Sequence, residues 1–180
     1  MGYAARMESR CKTATFAFSC VLLAVVSAGG PALAEDVAFE GRTLQVEPGQ
    51  DDTRTITRIV GTRYQLNATA VQIIDKARVC LGNQGSVAVE SGEAGSDQLV
   101  ANSRVNYRAG WGTRSARSRI DLEASDGYFR IIQSNLGIAQ IGAADARDGD
   151  YGPLQQQGGW DNAVSAMIAL EQGVIDCLYR

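Results

Sequence analysis

RIDLEASDGYFRIIQS, running from Arg119 to Ser134, is the stretch that decides the fold. Asp126-Gly127 stands between two runs that alternate apolar and polar residues, the strongest short-range sign of a β-hairpin, and predicts a two-residue type I′ turn. That turn sets Ser125 opposite Tyr128, Ala124 opposite Phe129, Glu123 opposite Arg130 and Leu122 opposite Ile131. Ile120, Leu122, Ala124, Phe129 and Ile131 then share one face, while Glu123 and Arg130 form a cross-strand pair on the other. A slip of one residue would mix the two sets, so the pattern selects its own register.

Working outward, Leu99, Ala101, Ser103, Val105 and Tyr107 alternate with Arg104, Asn106 and Arg108 in a longer strand, and Gly110–Ser115 joins it to the hairpin as a loop. Ser86–Ser91 makes a shorter strand through Val87 and Val89, turned by the glycine-rich stretch 92–96. Thr53–Thr62, rich in Thr, Ile and Val, adds another strand. Ala70, Ile73, Ile74, Ala77 and Leu81 recur at helical spacing, predicting a helix over about 70–81 capped by Asn67 or Thr69 and ended by Gly82. A second apolar stripe, Val164, Met167, Ile168, Val174, Ile175 and Leu178, marks a last helix capped by Asp161 and reaching Tyr179. The expectation is an α+β fold: an antiparallel sheet of about five strands with two helices packed on one face. Residues 53–180 form its single domain. Residues 35–52 are expected to be a flexible N-terminal segment with a short strand at Phe39–Val46, and 143–159 a mobile connector before the last helix.

The first 34 residues have a different character. Arg6, Arg10 and Lys12 precede an almost wholly apolar run from Thr13 to Ala28, then Gly29-Gly30-Pro31 and Ala32-Leu33-Ala34. This is the layout of a secretory signal peptide with cleavage between Ala34 and Glu35. A membrane anchor is the alternative, but about 16 apolar residues fall short of the ~20 that span a bilayer. Cys20 lies inside the apolar run, which argues against a lipidated cysteine. The expected location is therefore periplasmic or secreted, with no transmembrane segment in the mature chain. Loss of Arg6, Arg10, Lys12 and Glu8 leaves that chain more acidic than the net −3 of the whole, which argues against nucleic-acid binding through a global positive field. Cys80 and Cys177 remain, and in an oxidising compartment an even pair is most simply a disulfide, with two separate buried thiols as the alternative.

The 180-residue chain contains no histidine. Ser-His-Asp and Cys-His machinery, and most zinc and iron sites, are thereby excluded. No glycine-rich phosphate loop appears, and no cofactor or metal is expected. Carboxylates could act alone, but Glu90, Glu93, Asp97, Asp121, Glu123 and Asp126 show no marked pairing and read as surface acids. Asp145, Asp148 and Asp150 match a calcium loop only loosely, lacking the glutamate at the twelfth position. Arginine is the uneven residue. Arg104, Arg108, Arg119 and Arg130 alternate away from the apolar side of the middle strands, so the open sheet face is either solvated surface or a grip for an anionic ligand or partner.

Three stretches together resemble a known family: Ile74-Asp75-Lys76-Ala77-Arg78 in the first helix, the strand Val100–Tyr107, and Ser125-Asp126-Gly127-Tyr128-Phe129-Arg130. The family is an exported bacterial domain of unknown function with a TATA-binding-protein-like (TBP-like) fold, and the likeness covers about residues 53–140. It implies a curved antiparallel sheet backed by helices, carries no catalytic residues, and implies nothing about DNA. The leading expectation is a non-enzymatic binding module of the periplasm or cell envelope, working on an unknown envelope protein or an anionic ligand. A small carboxylate-based hydrolase and a structural envelope subunit are the alternatives.

Overall fold

Ser125 pairs with Tyr128, Ala124 with Phe129, Glu123 with Arg130 and Leu122 with Ile131, the register that the alternation predicts. The computed structural model describes residues 34–49, 52–90, 95–139 and 146–180. Eight strands appear in chain order: β1 Glu35–Phe39, β2 Arg42–Pro48, β3 Arg54–Gln65, β4 Val87–Val89, β5 Gln98–Ala109, β6 Gly112–Ser125, β7 Tyr128–Ala139 and β8 Tyr151–Pro153. Two helices accompany them, α1 Ala70–Gly82 and α2 Trp160–Leu178. The sheet runs β1-β2-β3-β7-β6-β5-β4, every adjacent pair antiparallel, and β8 joins the second half of β7.

Eight strands replace the five or so expected. Residues 35–48 are not a loose segment but two strands, β1 at the edge of the sheet and β2 inside it, and Leu44 and Val46 of β2 are buried. The single short strand expected at Phe39–Val46 is divided by a turn at Glu40-Gly41, and Arg42, a charge at a core position, opens β2. The stretch 143–159 is likewise partly ordered, with a short 3₁₀ turn at Asp148–Asp150 followed by β8. Beyond β8, Ile56 donates to the Leu154 carbonyl and Gln156 to that of Arg54. Single short strands of this kind carry no period long enough to detect. The predicted signal peptide, apart from Ala34, lies outside the described residues; Glu35, after the predicted cleavage point, begins β1.

One core joins the helices to one face of the sheet, with Leu122, Phe129, Ile131, Ile73, Leu81, Met167 and Leu178 among its fully buried members. α1 starts where the sequence places it: Thr69 and Gln72 form a reciprocal capping box. The hairpin turn docks onto that end. Asp126 accepts a hydrogen bond from the Ala70 amide at 2.8 Å, and Gly127 donates to the Ala68 carbonyl at 3.0 Å. Only Gly127 takes a positive φ (87°), so the turn is not the expected type I′, which needs positive φ at both central residues. The contact with α1 sets the turn in place of local preference. α2 is capped by Gly159, in the left-handed region at φ 87°, while Asp161 sits inside the first turn where its charge favours the helix dipole.

Cys80 in the last turn of α1 and Cys177 in the last turn of α2 form a disulfide, with Cα atoms 5.8 Å apart. It ties residues 97 positions apart, a closure worth about 4–5 kcal/mol in the chain-entropy account. No helix among the described residues is long and apolar enough to cross a membrane.

Candidate functional site on the outer sheet face

Alternation in β5 and β6 carries Asn102, Arg104, Asn106, Arg117 and Arg119 to the face opposite the helices. There they line a groove of about 880 Å³, walled on one side by β4 and Ser86 and on the other by Ala146 and Asp148. β8 builds that second wall. Tyr151 lies against Gly137, where a β-carbon would come within 3.2 Å of both the Arg117 Nε and the Tyr151 Cβ. A glycine is therefore needed for the wall to close on the sheet. The Tyr151 hydroxyl hydrogen-bonds the Ser115 Oγ at 2.9 Å, and the guanidiniums of Arg117 and Arg104 lie 5.0 and 5.5 Å from its ring centre.

The charges inside the groove are already paired. Arg104 donates to the Asp148 carboxylate at 3.1 Å, and Arg117 donates to the Asp148 carbonyl at 2.8 Å, its guanidinium 3.9 Å from the same carboxylate. Arg119 reaches Asp121 at 3.3 Å and Glu90 at 3.4 Å, and Glu90 also accepts from the Asn102 amide. All these groups keep contact with water, so each pair is held by about 1 kcal/mol or less and yields to a better anion. The Arg117 Nε is the exception, buried without a hydrogen-bond partner among the described residues.

Of the four arginines singled out from the sequence, Arg104 and Arg119 meet in this groove. Arg108 stands further along β5 near the end of the hairpin, and Arg130 lies on β7 with Glu123, at 2.6 Å, outside the groove. Arg117 takes part although it was not among the four, and alternation from Arg119 was enough to find it. Asp148 pairs with arginines, and Asp150 accepts from the Arg147 amide, so the loose calcium-loop resemblance corresponds to local pairing. Asp145 and Glu93 lie outside the described residues. No group of three or more Cys, Asp or Glu suited to a metal ion occurs among the described residues.

The opposite face holds a polar chain that the sequence analysis missed. Glu171 of α2 is 1% exposed and accepts from the Arg42 Nε at 2.7 Å. Gln133 of β7 donates to Glu171 and to the Met167 carbonyl, accepts from Ser118, and Ser118 bonds Ser103 at 2.7 Å. The chain thus crosses from β2 to β5 beneath α2. Gly61 of β3 gives it room, because a β-carbon there would lie 2.7 Å from the Ile131 carbonyl oxygen and 2.9 Å from the Glu171 carboxylate. Burial pushes the Glu171 carboxyl above its usual range, and the Arg42 charge and hydrogen bonds from Gln133 and Arg42 offset part of that. Its signal was present: Glu171 falls between Met167 and Val174 on the α2 core stripe.

No family model and no curated protein matches the chain in sequence. Two solved structures resemble it. A DUF4468 family protein from Bacteroides ovatus ATCC 8483 shares 6% identity at a TM-score of 0.44, over 79% of this chain and 90% of that one. A TBP-like protein from Parabacteroides distasonis ATCC 8503 aligns with a TM-score of 0.53 at 10% identity, covering 80% of this chain and 97% of that one. The register of the central hairpin, the two stapled helices and this likeness agree: the chain is an α+β domain with a TBP-like fold.

Proposed function

We propose that the protein is an exported, non-enzymatic binding module that takes an anionic ligand or an acidic segment of a partner in the outer-face groove. The observation that carries this reading is the convergence of Arg104, Arg117 and Arg119 with Asn102 and Asn106 on the floor of one open groove. Guanidinium and amide groups in this spacing offer forked donors to carboxylate, phosphate or sulfate oxygens. Asp148 and Glu90 already occupy those donors as carboxylates would. The disulfide and the lack of a membrane-crossing helix among the described residues are compatible with export. A non-catalytic role is supported by the histidine-free sequence, by both cysteines of residues 35–180 being joined, and by the engagement of Glu90, Asp121 and Glu123 with arginines.

The test is NMR titration with inorganic phosphate and with poly-glutamate, following the Asn102 and Asn106 side-chain amides and the arginine Nε–H groups. Shifts confined to the groove, and abolished in Arg104→Gln/Arg119→Gln, are the expected result. Shifts spread evenly over all surface arginines, or none at all, refute the site.

A further inference from the structure

Trp111 is fully exposed at the turn between β5 and β6, with Gly110 and Gly112 on either side and Thr113 also exposed. The protein has two tryptophans, and the other, Trp160, packs on Phe39 with ring centres 5.2 Å apart. A bare indole on a convex tip, with glycines rather than apolar neighbours beside it, lacks the surrounding apolar surface of a protein-docking patch. It has the form of an interfacial anchor, since tryptophan favours the level where hydrocarbon meets headgroups.

The charge of the arm agrees. Between Asp97 and Asp121 the chain has no acidic residue and five arginines, Arg104, Arg108, Arg114, Arg117 and Arg119, in a protein whose net charge is −3. Arg108 and Arg114 each stand three residues from Trp111, roughly 10 Å back along the strands at ~3.3 Å per residue. They leave the hairpin on opposite faces, for Arg114 pairs across from Tyr107 on the core side while Arg108 belongs to the outer side. Burial pushes the Tyr107 hydroxyl above its ordinary range, and the neighbouring Arg114 guanidinium offsets part of that. An indole sunk about 5–10 Å into an interface would thus place one guanidinium on either side at the depth of lipid phosphates.

We propose that the β5–β6 tip is a membrane-surface anchor, in which Trp111 enters the interface of an anionic bilayer and Arg108 and Arg114 bind its headgroup phosphates. The inference stands apart from the groove, which lies nearer the middle of the same strands.

The test uses the full chain as recovered from an export-competent host, its N-terminus defined by intact mass. Residues 1–34 contain no tryptophan, so emission reports on the domain whatever the leader's fate. Phosphatidylglycerol vesicles should shift the emission of Trp160→Phe to the blue, and phosphatidylcholine vesicles should not. Co-sedimentation with phosphatidylglycerol should fall about tenfold in Trp111→Ala. It should fall about fivefold for each of Arg108→Gln and Arg114→Gln. Trp111 touches no core residue, so its variant keeps the fold and a loss of sedimentation is informative even where Trp160→Phe is unstable. Emission unchanged by vesicles, sedimentation unaffected by Trp111→Ala, or equal binding to both lipids overturns the proposal.

Discussion

Arg42–Glu171 and Arg130–Glu123 are nearly the same ion pair, at 2.7 and 2.6 Å, on opposite faces of one sheet. Side-chain exposure separates them: 8% and 0% for the inner pair, 36% and 39% for the outer. On the outer face water screens the attraction and already solvates each partner, so the pair adds little. Beneath α2 each charge has given up its hydration, and the bond to the other, with the bonds of Gln133, is what replaces it. Distance alone therefore says nothing about worth. The inner pair is a requirement of the fold, whereas the outer pair is not.

The sharpest way to break this contrast is Glu171→Ala. It leaves the Arg42 guanidinium buried without its acid and should cost about 3–5 kcal/mol in urea unfolding. Arg42→Met with Glu171→Leu should recover most of that loss, because it removes both buried charges together. If the double variant is no better than the single one, the network matters through packing and not through charge.

Leu122→Ala cuts the apolar layer beside the network and should cost about 2–5 kcal/mol, with the larger value if the cavity stays open. A loss under about 1 kcal/mol would place Leu122 on the wrong side of the sheet.

Acid titration gives a finer test. The Glu171 carboxyl is raised above its ordinary 4.5 when folded, so the native state binds its proton more tightly than the unfolded chain does. Its contribution to stability is then fully present below about pH 4.5 and is lost as pH rises through the folded value. Against Glu171→Gln, the wild-type protein should show its greatest relative stability at acid pH and a shrinking advantage toward neutrality. An advantage that instead grows with pH would show that the Arg42 charge outweighs burial.

The smallest effect belongs to the outer pair. Arg130→Ala should change stability by only about 0–1 kcal/mol, and salt should erase what there is. Severe unfolding from this substitution would invert the assignment of the two faces.

The residues themselves determined the centre of the molecule. Alternation through Ile120–Ile131 and Leu99–Tyr107 selects one register, and the stripes on α1 and α2 name the faces that cover it. Two cysteines near the ends of those helices then had one obvious partner each. These features were legible because each rests on spacing within a single element.

What tertiary structure decided are the features whose cause lies in another element. β2 is a strand because β3 offers it a free edge and β1 because β2 does, and the arginine that opens β2 is tolerable only because Glu171 comes down from α2, 129 residues away. The central turn takes its shape from the amide of Ala70, not from Asp126-Gly127 alone. The groove exists because Tyr151 and Asp148 return from a poorly periodic connector to wall it at Gly137. A local pattern states which side chains want burial or water; which distant group satisfies them is settled only when the chain has closed on itself.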